Sequence, residues 1–188
     1  MAGKLVPSPT PAVPGGGMTL ISETVLSANT GLNLTSIPGT YKQLLLVWYG
    51  VYHSGQSSVF DLRLNNNSNS NTYIFHGLKF ESSAGVAAGT KTTLGDYAFG
   101  YRCDYPTSLI YSSKGWLQID NYASTTKLKQ FNTSYAFADN NAGINYVENF
   151  NGVFNSTSAV TSIDIVRTSG TDTITNIANT SIRLYGIS

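Results

Sequence analysis

Charge is scarce in this chain of 188 residues. Lys and Arg number 11 and Asp and Glu 10, so charged residues make up 11% of the sequence, against roughly 25% in an ordinary soluble domain. With a formal net charge of +1 and no basic run, the chain lacks the electrostatic footprint of a nucleic-acid binder. Cysteine occurs once, as Cys103, which rules out an intrachain disulfide; a chain of this length can build a core without one. Beside it stand only His53 and His76, a poor supply for a zinc site that needs three or four ligands. No metal and no cofactor is expected. Long apolar runs are absent too. None reaches the roughly 18 residues of a membrane-spanning helix, and "MAGKLVPSPTPAVPGGG" lacks the apolar stretch of about 7 to 15 residues found in a signal peptide. The expectation is synthesis in a cytoplasm, with exposure outside only through lysis or assembly into something larger.

Catalytic signatures are equally thin. There is no G-x-S-x-G elbow, phosphate loop, dinucleotide fingerprint or EF-hand spacing. Cys103 has Arg102 beside it, yet a half-buried structural thiol is the expected role. The ten acids are scattered singly. For glycoside hydrolysis, which uses two carboxylates, the sequence leaves open a pair such as Asp61 and Asp120. The expectation is a protein that is not an enzyme.

The chain is filled instead by Asn, Ser, Thr and Gly, with 12 tyrosines. Thr and aromatics suit pleated surfaces, and Asn and Gly make turns. No segment of twelve or more residues carries a helical period. Alternating or continuous apolar stretches predict about ten short strands, among them "KQLLLVWYGVY", "VFDLRLN", "TYIFHGLKF", "KGWLQIDNY" and "TSIRLYGI". That spacing points to an all-β, antiparallel β-sandwich over residues 20–188, with a jelly roll as the favoured form. "KQLLLVWYGVY" reads as a central strand covered on both sides. Trp48 and Trp116, both in apolar strands, are expected to pack in the core. "NNNSNSN", residues 65 to 71, reads as a turn between two paired strands at one end of the sandwich.

Residues 1–19 form a separate unit. Four of the six prolines lie there, before Gly15-Gly16-Gly17, which favours extended polyproline-like geometry and a flexible joint. Such an arm anchors well in a partner's groove, since little entropy is lost on docking. Val6, Pro7, Pro9, Pro11, Val13 and Pro14 are its candidate contacts. In the domain, Asn66, Asn67 and Asn69 with Tyr52 and Tyr105 are candidate loop contacts for a glycan or protein partner.

Three stretches in order, "LTSIPGTYKQLLLVWYGV", "LRLNNNSNSNTY" and the closing "TSIRLYGIS", together resemble a family of bacteriophage virion proteins. Those proteins carry an "IPgTYk-L-L" opening, an "LRfNgDsgsNY" segment and a "TsI-LYGI" end. The resemblance implies a virion accessory domain of the kind found in capsid decoration proteins, head fibres and tail fibres, commonly trimeric. It implies the major capsid protein or another virion protein as partner, or a host-surface glycan for a fibre. No catalytic residues carry over. The family's Gly-Asp is replaced here by Asn66-Asn67, which puts in doubt any ligand role of that acid.

Overall fold

The computed structural model describes residues 17–53, 59–69, 72–81, 85–87, 97–98, 113–139, 144–169, 171, 173–176 and 179–188. The arm contacts 6–14, Tyr105 and Cys103 lie outside the described residues. Among the described residues thirteen strands succeed one another. They begin with β1 (Met18–Thr24), β2 (Gly31–Leu34), β3 (Gln43–His53), β4 (Val59–Leu64) and β5 (Tyr73–Glu81). Two short strands, β6 (Gly85–Ala87) and β7 (Tyr97–Ala98), precede β8 (Ser113–Asp120), β9 (Lys129–Asp139) and β10 (Ile144–Phe154). The last are β11 (Ile163–Ser169), β12 (Ile174–Asn176) and β13 (Ile182–Ile187). β2, β6 and β12 are three or four residues long, too short to show a period of two in sequence.

All pairings are antiparallel. Nine strands form one sheet in the order β1-β13-β3-β8-β9-β10-β5-β6, with β12 continuing alongside β3; four form a second in the order β2-β11-β4-β7. The fold is β-sandwich-like. Alternation along the strands explains the core. Leu44, Leu46 and Trp48 of β3, Leu117 and Ile119 of β8, and Phe131, Tyr135 and Phe137 of β9 are buried on one face of the large sheet. From the small sheet come Leu62, Leu64, Ile163 and Ile165. Leu62 and Leu64 share a small void with Tyr73, Leu117 and Phe131, which places the two inner faces against each other. Aromatic pairs add shape specificity, with Phe75 edge-on to Phe150 at 5.4 Å between centroids.

Two places differ from the sequence reading. β4 and β5, on either side of the Asn/Ser segment, are not paired. β4 lies in the small sheet between β11 and β7, and β5 lies in the large sheet between β10 and β6. The segment is therefore a crossover between sheets, something local turn chemistry cannot reveal. Among the described residues, β3 is central in its sheet but not covered on both sides. Leu45 and Val47 are only half-buried, and Tyr49 is 60% exposed.

The end of the sandwich near Gln43 is tied together by buried polar groups. Lys129 is fully buried, and its Nζ donates to the carbonyls of Ser124 (2.6 Å), Thr157 (2.8 Å) and Lys127 (3.0 Å). Burial lowers its pKa from the usual lysine value. Tyr122, also buried, donates its hydroxyl to the Pro38 carbonyl and accepts from the Tyr41 N–H at 3.2 Å. Burial pushes its pKa up.

Candidate interaction surface

The Asn/Ser crossover is wired inward. Asn65 and Asn66 both have positive φ (55° and 50°), and the Asn67 N–H donates to the Leu64 carbonyl at 3.1 Å, giving a turn of type I′ character. Asn tolerates that backbone better than most residues. The Asn65 side chain accepts from the N–H groups of Thr161 (2.8 Å) and Ser162 (3.2 Å) and donates to the Ala159 carbonyl (2.8 Å). The Asn66 N–H donates to Asp164 Oδ2 at 2.8 Å, and the Asn67 carbonyl receives the Tyr73 hydroxyl at 3.1 Å. Asn67 Oδ1 accepts from the Asn69 N–H at 2.8 Å. Asp164, itself buried, also receives the Asn33 amide and the Ser162 hydroxyl. The side chains of Asn66 and Asn69 are exposed.

Tyr52 does not join this loop. It sits nine residues along β3 from Gln43, toward the opposite end of the sandwich, half-buried against the core and opposite Thr175. The acids Asp61 and Asp120 are likewise separated. Asp61 lies in the small sheet beside Arg63, 3.7 Å away, while Asp120 ends β8 in the large sheet, opposite Gln43. His76 is exposed on β5, opposite Asn151. Among the described residues no group of three or more His, Cys, Asp or Glu is placed to hold a metal ion.

The outer face of the large sheet is unexpected. Trp116 is 39% exposed, not core. Its strand held the signal: Trp116 is in phase with Lys114, Gln118 and Asp120, while Leu117 and Ile119 point the other way. In register, Val47 faces Trp116 and Tyr49 faces Lys114 across β3 and β8. Trp116 then faces Ser134, and Ala136 faces Val147, across β9 and β10. The small side chains of Ser134 and Ala136 leave room, and an open cleft of about 330 Å³ lies between Tyr49, Trp116 and Val147. Below it runs an amide ladder, Gln118–Asn132–Asn151.

β3 is shaped for this. Its register shifts between Tyr49 and Val51, where Gly50 takes φ 67°. Such a bulge adds one residue and re-aims its neighbours. On the other side of Tyr49, a second depression of about 370 Å³ runs along β13 and β3 from Met18 to Asn179, with Leu45 and Val47 in its floor and Tyr185 in its wall. Near its rim, Glu23 Oε1 accepts from Ser181 Oγ (2.7 Å) and Arg183 Nε (2.9 Å). These bonds, Ser181 first, lower the Glu23 pKa.

Compared with known proteins, the chain matches no family model, no curated protein and no solved structure.

Proposed function

We propose that the chain is a non-enzymatic bacteriophage virion structural protein, a capsid decoration protein of the trimeric, jelly-roll-bearing kind, held on the particle through its N-terminal arm. The three motifs in order support this reading. The observation that carries it is the outer face of the large sheet, where Tyr49, Trp116 and Val147 stand exposed around one cleft in a charge-poor chain. Clustered exposed apolar side chains mark association surfaces more often than single ones do. A decoration protein needs such a face for its neighbours, whether capsid subunits or copies of itself.

The test is addition of the purified protein to particles stripped of it. Binding and raised particle stability are the expected result, with binding reduced by Trp116→Ser and by removal of residues 1–16. Failure to bind any such particle would remove the reading.

A fibre module that binds host-surface glycans is the second reading. It draws on the same face: an exposed indole beside an amide ladder can stack on a sugar ring and bond to its hydroxyls. Adsorption to host cells that is lost in Trp116→Ser, with no binding to stripped particles, would favour it.

A further inference from the structure

The groove along β13 and β3 shares Val47 and Tyr49 with the Trp116 cleft but lies on the other side of them, and one end of it is Met18. Met18 is the first residue of β1 and pairs with Ile187. The chain outside the described residues therefore joins the domain at the mouth of the groove. Gly17 still belongs to the sheet edge, its carbonyl accepting the Ser188 N–H at 3.2 Å. Before it come Gly16 and Gly15, and then the proline series Pro7, Pro9, Pro11 and Pro14. We infer that this N-terminal segment, Val6 to Pro14, folds back through the glycines and docks in the groove of its own chain.

Three features select this occupant. Proline-rich segments in polyproline geometry are recognised by aromatic-lined grooves, and here Tyr49 and Tyr185 flank a floor of Leu45 and Val47. Length fits as well. From Met18, which pairs with Ile187, to Ser181 the groove covers six residue steps of β13, roughly 20 Å at strand rise, which is the reach of six or seven residues at about 3.1 Å each. Pro7 to Pro14 is eight residues. The joint fits because the chain must reverse direction to run from Met18 toward Asn179. Glycine reaches the backbone angles of a reversal at no steric cost, and two of them precede Gly17.

Docking in cis would cover Met18, which is 59% exposed, and leave the Trp116 side of Tyr49 open. It would also hold the anchoring segment in reserve until a particle competes for it. Docking of this kind is a property of the isolated protein and does not depend on the particle that the protein decorates.

The test compares the full chain, a chain beginning at Gly17, and a full-length variant with Pro7, Pro9, Pro11 and Pro14 all changed to serine. Binding of an apolar-surface dye is read for each, and a synthetic peptide of residues 1–16 is titrated into the shortened chain. Expected are severalfold more dye binding in both altered proteins and saturable peptide binding that Tyr185→Ser abolishes. Equal dye binding in all three, or no peptide binding, overturns the inference. Peptide binding that survives Tyr185→Ser but is lost in Trp116→Ser also overturns it, by placing the segment in the other cleft. Dye binding by the full chain that rises on dilution overturns the cis arrangement in favour of a second copy's groove.

Discussion

The indole of Trp48 lies over Gly115 of the neighbouring strand, so that a β carbon on Gly115 would sit 2.4 Å from Trp48 Cζ2 and 2.5 Å from Tyr135 Cβ. The indole is held there by its Nε1–H, which donates to Ser113 Oγ at 2.8 Å. Gly115→Ala must therefore displace a ring in a packed core. The expected cost is about 1–3 kcal/mol, read as a lower urea midpoint with changed Trp48 fluorescence. An unchanged midpoint would mean that the ring has room to move.

Asn65 and Asn66 are adjacent and share positive φ, yet they should respond differently. Asn65→Ala strips the side-chain partners of residues 159 to 162 and is expected to cost about 2–3 kcal/mol. Asn66→Gly keeps the turn geometry and the N–H that Asp164 accepts, so stability should stay within about 1 kcal/mol of the parent. Chemical denaturation of both proteins checks the contrast.

Lys129→Met leaves three carbonyls without their donor in a site closed to water. Roughly 3 kcal/mol of stability should be lost, more than an exposed lysine could supply. The parent's pH profile carries the same group. Because burial lowers the Lys129 pKa, the unfolded chain holds a proton that the folded chain has released between the folded value and the ordinary one. Stability contributed by this group therefore rises with pH across that window, and Lys129→Met should remove the rise.

Tyr122 acts with the opposite sign. Its raised pKa means that the folded chain keeps the phenol proton after the unfolded chain has lost it, so its contribution is complete below the ordinary tyrosine value and falls as pH climbs through the folded one. Tyr122→Phe should flatten that decline and cost about 1–2 kcal/mol at neutral pH through the lost bond to the Pro38 carbonyl. Denaturant titrations from neutral to alkaline pH test both residues.

Trp116→Ser should leave the fold within about 0.5 kcal/mol of the parent, as for a surface change away from caps and core, and should reduce self-association. Sedimentation at several concentrations gives the second readout. A large loss of stability would place the indole in a structural role instead.

Much of the fold was legible because strands with one covered face write their orientation into a period of two. "KGWLQID" shows it: Leu117 and Ile119 are buried, and Trp116 shares the phase of Lys114 and Gln118. Residue type alone points Trp116 to the core, whereas its phase points it outward. "LLLVWY" in β3 has no such phase, since it is apolar on both faces, and composition alone could not tell a covered outer face from an exposed one. The Asn/Ser stretch was legible as a turn from residue chemistry. Its job of carrying the chain from one sheet to the other was not, because pairing partners such as Ile163 for Leu64 lie about a hundred residues away.

The sequence by itself determined the local choices: extended strands and turns rich in Asn and Gly. These depend on backbone sterics and on the spacing of apolar side chains over a few residues. Only the tertiary structure decided which strands share a sheet, that Asn65 binds residues 159 to 162, and that Tyr49, Trp116 and Val147 meet around one cleft. Those relationships come from long-range pairing, where register and sheet order bring together residues that have no proximity along the chain.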